Sequence, residues 1–304
     1  MIICFDIGGS GIKAALAKSP TELTPLGRVP TPLDDFDAFV AAIRSVADAA
    51  GAPQGTPIAI SITGVVDPAT QIITVANIPC ADGRRLGPEL TAALGRPVFV
   101  ANDADCFALA EAIEGAGRGH RIVFGAILGT GVGGGIVIDR RIVNGAGGFA
   151  GEWGHGPVAA TSAGNPPVDI PRITCGCGQV GCVDTIGAAR GMERLHKHLH
   201  GIELPSTAIV EAWQAGDARA ARTIEVQIDL LAGPLALVIN VVGASIVPVG
   251  GGLGKSPEFI ARLDTAVRQR ILRRLDQPLV VPSRLTVEPG LVGAAILGVT
   301  ENAA

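Results

Sequence analysis

The chain has 304 residues, of which 48% are apolar and 17% charged, with a net charge of −4. That length exceeds one ordinary domain and that apolar content fills a sizeable core, so two lobes are expected. The acidic balance argues against nucleic acid as the main partner, and no run reaches the roughly 18 uninterrupted apolar residues of a membrane helix.

The first element, MIICFDI, is apolar and strand-like, and no basic segment, apolar run and small-residue cleavage site precede it, so a cytoplasmic protein is expected. A Gly-rich turn and a second strand-like run (12–17) follow. DDFDAFVAAIRSVADAA (34–50) sets Phe36, Phe39, Val40, Ile43, Val46 and Ala47 on one helical face behind an acidic first turn. IAISITG (58–64) reads as a strand ending at Gly64, and RPVFVANDADCFALAEAIEGAG (96–117) as a strand, a short polar turn and a helix. RIVFGAILGTGVGGGIVID (121–139) repeats the opening plan of strand, glycine turn and strand. Residues 187–242 read as mainly helical, with breaks near Pro205 and near Gly233-Pro234, and LLAGPLALVINVVGASIVPVG (230–250) is interrupted by Gly, Pro and Asn. GASIVPVGGGLGKSPEF (243–259) gives a strand, glycines and a helix entry. The pattern predicts a two-lobed α/β protein with a nucleotide between the lobes. Residues 1–118 plus a returning last helix (290–304) form one lobe and 119–289 the other, with the glycines of GAGRGH (115–120) as a hinge.

Three glycine turns carry the first chemical signal. In DIGGSGIK (6–13), Gly8, Gly9 and Gly11 let backbone N–H groups approach an anion, and Ser10 adds a hydroxyl donor. Alone, this segment is equally a plain hairpin turn. LGTGVGGG (128–135) adds Gly129, Thr130, Gly131 and Gly133, and VGGGLGKS (249–256) adds Gly250, Gly251 and Gly252. Three such turns, each weakening a strand edge, point to a phosphate chain among them. Asp6 is then a carboxylate that reaches, through the ion's bound water, the Mg²⁺ that phosphoryl transfer requires.

ANDADCFALAEA (101–112) places Asn102 and Asp103 at a strand end before a helix. Asp103 or Asp105 can cap that helix. A carboxylate at 103 can equally accept a proton from a substrate hydroxyl as its oxygen attacks a γ-phosphate. Asp105 has the same chemistry but falls within the first helical turn.

RITCGCGQVGCVD (172–184) holds three of the six cysteines. In a reducing compartment clustered thiols are more often ligands than disulfides. Cys175, Cys177 and Cys182 supply three corners of a tetrahedral zinc site, and Cys4, Cys80 and Cys106 are scattered small hydrophobes. His155 of GEWGHGPV is the nearest upstream candidate for the fourth corner, whereas His196, His198 and His200 sit on a basic, helix-like stretch expected to face solvent. A zinc-bound imidazole is neutral and keeps one N–H free for a sugar hydroxyl. Glu152, three residues before His155, lies on the same side as it if the stretch turns helically.

Taken together, DIGGSGIK, ANDADCFALAEA, LGTGVGGG, GEWGHGPV, CGCGQVGC and VPVGGGL, in this order over nearly the whole chain, resemble the ROK family of sugar kinases and sugar-responsive repressors. The resemblance implies the actin-like, ribonuclease-H-like ATPase fold with the active site in the interlobe cleft. It implies ATP-dependent phosphorylation of a sugar 6-hydroxyl, with N-acetyl-D-glucosamine as acceptor and a homodimer as assembly. A ROK glucokinase or fructokinase is the alternative. By the same resemblance, Asp103 is the general base, and Asn102, Glu152 and His155 bind the sugar in a pocket lined at Gly64. His155, Cys175, Cys177 and Cys182 hold structural Zn²⁺, and the turns at 8–11, 129–135 and 250–252 contact the nucleotide. Asp184 stands where the family usually has a sugar-binding glutamate, and Ala188 where a serine is common, which bears on sugar identity. GGSGIK and NDAD are similar to the polyphosphate glucokinase branch, so polyphosphate is a minor donor alternative. A sugar-responsive ROK regulator would need a DNA-binding segment before Asp6, for which five residues leave no room. An actin-like assembly ATPase would give the zinc cluster no role.

Overall fold

The computed structural model describes residues 1–303. The chain forms two compact units, one built from 1–119, 135–150 and the segment from Leu285 onward, the other from 120–134 and 151–284.

The first unit opens with an antiparallel meander, β1 (Ile2–Gly8), β2 (Gly11–Ser19) and β3 (Glu22–Val29), followed by α1 (Phe36–Ala49) and β4 (Ile58–Ile62). A short hairpin, β5 (Val65–Val66) and β6 (Ile73–Thr74), leads to α2 (Leu86–Leu94), β7 (Val98–Asn102) and α3 (Asp103–Ile113). The sheet order is β3-β2-β1-β4-β7, with β4 parallel to both β1 and β7. Strand alternation sorts its two faces. Ile3, Phe5 and Ile7 pack with Phe39, Ile43, Leu86 and Leu90 of α1 and α2, each buried side chain of this size contributing about 2 kcal/mol. Ile2 and Cys4 pack on the other face against Leu291, Ala294 and Ala295 of the last helix. Register then aligns Ser61, Asp6, Lys13 and Arg28 in one row across β4, β1, β2 and β3 on that second face. The polar turn expected between β7 and α3 is absent, because Asn102 is at once the last strand residue and the helix cap.

The rest of the chain runs through β8 (Ile122–Leu128), β9 (Val132–Ile138), β10 (Arg141–Ile142), β11 (Ser162–Ala163) and β12 (Val168–Asp169). Helices α4 (Asp184–Gly187), α5 (Ala189–His200), α6 (Ser206–Gln214) and α7 (Ala218–Val242) come next. They are followed by β13 (Val247–Gly250), α8 (Gly251–Gly254), α9 (Pro257–Arg268), β14 (Val280–Pro282) and α10 (Pro289–Glu301). The sheet order here is β10-β9-β8-β13-β14, with β13 parallel to β8 and β14.

Two sequence expectations fail in the helical segment. No break occurs at Gly233-Pro234: α7 runs unbroken for 25 residues with Pro234 inside it. Burial of Leu230, Leu231, Leu235 and Ile239 on both sides of the proline outweighs the roughly 3 kcal/mol that an internal proline costs. This helix is long and apolar enough to span a bilayer by length and composition. In this fold it is a core element, packed against α5 and α9, and its Asp229 accepts from the Gly164 N–H. The second failure is His196, expected on a solvent face but buried. Its Nδ1 meets Thr223 Oγ1 at 2.9 Å and its ring lies edge-on to His200. Only the outward positions of that run, including Lys197 and His198, follow the polar expectation.

Candidate active site

In the first unit, Gly8 and Gly11 pair across the β1–β2 turn. Thr31 Oγ1 donates to the Gly8 carbonyl at 2.6 Å, and a Cβ at Gly9 would stand 3.2 Å from the Asn77 carbonyl oxygen, so the turn is packed from both sides. Ser10 is exposed. Behind the turn, Asp6 Oδ1 accepts from Ser61 Oγ at 2.9 Å. Burial raises Asp6 above the usual carboxylate range, the Ser61 bond and Lys13 oppose the rise, and Glu288 adds to it. Such a carboxylate fits a dication, whose charge would offset the desolvation.

The β7–α3 junction gathers the acceptor side. Asn102 caps α3, its Oδ1 accepting from Ala104 N at 2.8 Å and Asp105 N at 3.3 Å. The cap therefore falls on Asn102 and not on Asp103 or Asp105. Its Nδ2 donates to the Gly64 carbonyl at 2.8 Å, tying the β4–β5 turn to the helix start. Gly64 has φ +109°, and a Cβ would lie 2.7 Å from Val75 Cβ, so the turn requires glycine. Asp103 is the first residue of α3 and exposed, with Oδ1 accepting from Ala104 N at 2.9 Å. Gly64, Asn102 and Asp103 are thus brought together by backbone and side-chain bonds.

In the second unit the turns at 129–131 and 250–252 are neighbours. Gly251, at φ +83°, leaves only 2.5 Å between a notional Cβ and the Leu128 carbonyl carbon. Thr130 is exposed, and Gly252 faces open space. Three contacts hold the 129–133 turn. Ala189 N donates to the Gly129 carbonyl at 3.0 Å, Trp153 Nε1 to the Gly133 carbonyl at 2.8 Å, and Val132 N to Asp184 Oδ1 at 2.7 Å. Trp153 is buried edge-on to Phe124. No sequence signal marks it, because a single indole in GEWGH carries no periodicity or spacing.

Glu152 and His155 lie on a turn and not a helix, with His155 N donating to the Glu152 carbonyl at 3.0 Å. The imidazole sorts its two nitrogens: Nδ1 is 3.6 Å from Cys175 Sγ and Nε2 is 3.9 Å from Glu152 Oε2. Burial raises the Glu152 carboxyl, opposed by His155. His155 and the three cysteines place one ligand atom each within 4.8 Å of one another, and Cys177 and Cys182 sulfurs are 3.6 Å apart. Tetrahedral zinc with 2.3 Å Zn–S bonds needs S···S edges of about 3.8 Å, so the donor set fits that ion. Burial pushes the Cys175 thiol up to about 12, whereas the Gln179 N–H beside exposed Cys177 brings it down to about 7. A dication lowers such thiols together.

A model of the family described as "ROK family" matches residues 2–301. The chain belongs to the ROK family. Among ROK relatives, an N-acetyl-D-glucosamine kinase of Pectobacterium atrosepticum is 35% identical, the match covering 98% of this chain and 99% of that one. The crystal structure of a ROK hexokinase from Thermus thermophilus superposes with a TM-score of 0.83 at 29% identity, covering 99% of each chain. A ROK glucokinase from Streptomyces griseus, solved with glucose and AMPPNP, gives 0.75 at 27% identity over 97% of each chain. The fold is thus the two-lobed, actin-like α/β architecture that the motif order implied.

Proposed function

We propose that this ROK protein is a carbohydrate kinase that transfers the γ-phosphoryl group of ATP to the 6-hydroxyl of N-acetyl-D-glucosamine. The acceptor follows from full-length similarity to kinases of that name. The observation that carries the reaction type is Asp103, an exposed carboxylate at a helix start whose neighbour Asn102 is locked by three hydrogen bonds.

Asp103 accepts the proton of the sugar 6-hydroxyl while that oxygen attacks the γ-phosphorus. The β–γ anhydride P–O bond breaks and ADP leaves. Mg²⁺, when bound, would neutralise charge on the phosphate oxygens, and Asp6 would steady it through its bound water. The glycine turns, with the Ser10 and Thr130 hydroxyls, receive the phosphate chain. Glu152 and the His155 Nε2 side orient the sugar; His155 Nδ1 and the three cysteines would hold zinc, which would keep the imidazole neutral and fixed.

Asp184 Oδ1 is engaged by Val132 N, and the other sugars serve as control acceptors. ADP release measured against N-acetylglucosamine, N-acetylmannosamine, glucose and fructose tests the reading. N-acetylglucosamine should give the highest kcat/KM, and absence of turnover with every sugar would overturn it.

A further inference from the structure

The polar row across the first sheet has one member without a counter-charge. Ser61 Oγ donates to Asp6, and Lys13 Nζ lies 2.8 Å from Glu288 Oε2. Arg28, paired in register with Lys13, turns away along the strand toward the glycine turn. Its guanidinium covers Gly11: a Cβ there would fall 2.5 Å from Arg28 Nε and 2.9 Å from Nη2. Nη2 donates to Ser10 Oγ at 3.3 Å. Among the described residues no carboxylate lies within ion-pair distance of it.

Gly11 is a strand residue at an ordinary backbone angle, since it is not among the positive-φ glycines. Conformation therefore does not demand glycine here, and glycine weakens a strand. Close approach does explain it, because any side chain at 11 would evict the guanidinium. A planar fork laid beside a glycine turn, with most of its five N–H donors unengaged, matches the oxygens of a phosphate better than any neutral ligand.

We propose that Arg28 binds the phosphate chain of the phosphoryl donor at the first glycine turn, and that Gly11 is kept bare to let it reach. The ligand chemistry is a phosphoanhydride chain, from a nucleoside triphosphate or from inorganic polyphosphate. The proposal rests on the sugar-kinase reading for its role in turnover, but not for binding.

The test uses the full chain and three variants: Arg28→Met, Gly11→Lys and the two combined. Affinity for AMPPNP and for tripolyphosphate is measured by calorimetry, and KM for ATP and for sugar by ADP release. Arg28→Met should weaken AMPPNP binding and raise the ATP KM at least tenfold, with sugar KM within twofold. Adding Gly11→Lys should restore part of the loss by supplying a cation from β2, which no merely structural arginine would permit. A matching loss of tripolyphosphate affinity assigns the contact to the bare chain, and AMPPNP binding without tripolyphosphate binding assigns the source as nucleotide. Unchanged AMPPNP affinity in Arg28→Met, or a shift in sugar KM instead, overturns the proposal. Arg28-dependent AMPPNP binding in a protein that phosphorylates no sugar would sink the kinase reading and leave this one standing.

Discussion

Asp184 accepts a 2.7 Å hydrogen bond from the backbone N–H of Val132, and its Oδ1 occupies space that a side chain at Gly131 would fill. The acid that follows the cysteine cluster therefore braces the glycine turn. Asp184→Ala strands a part-buried N–H, at a cost of about 1–3 kcal/mol, or a melting point lower by about 2–4 °C per kcal/mol. Asp184→Asn keeps an acceptor oxygen and should recover most of that loss. Scanning calorimetry of both variants checks this, and equal losses would assign the effect to charge and not to the bond.

Removal of zinc should loosen the same region. The purified protein is expected to hold one zinc per chain by plasma emission, and chelation should raise sugar KM by about 10–100-fold as the His155 ring loses its anchor. A Cys177→Ser variant should lose zinc more readily. An apoprotein with unchanged sugar KM would separate metal from substrate.

His196 gives a pH dependence with a defined sign. Burial, and next the charge of His200, lower its pKa from 6.5, with Asp217 opposing. Thr223 gives its own hydrogen to the Arg219 carbonyl, so Nδ1 of a neutral His196 is the donor to Thr223. A depressed folded pKa means that the stability is full above pH 6.5 and is lost as pH falls from there toward the folded value. Melting points from pH 7.5 to 5 should drop more steeply in the wild type than in His196→Asn, whose amide can donate without charging. Parallel curves would contradict this.

The sequence carried the placement of the candidate site residues further than the packing. The glycine turn at Gly64, the strand end and helix start at Asn102–Asp103 and the gathering of His155 with the C-x-C-x4-C cysteines were legible, because turns, helix starts and clustered ligand types each favour few residue types at fixed spacing. What escaped was whatever depends on a distant backbone. Val132 N reaches Asp184 across 52 residues, and Arg28 covers Gly11 from another strand. Trp153 meets Gly133 through a carbonyl that any residue would offer. His196 and Pro234 were misjudged from local composition, since burial in α5 and α7 is decided by the elements packed against them.

The most direct measurement is steady-state turnover of Asp103→Asn with ATP and N-acetylglucosamine, alongside calorimetric sugar binding. General-base catalysis contributes about 10²–10⁴-fold. A base at Asp103 therefore predicts turnover down by at least a hundredfold with sugar affinity changed by less than about threefold. Turnover within tenfold of the wild type would contradict it.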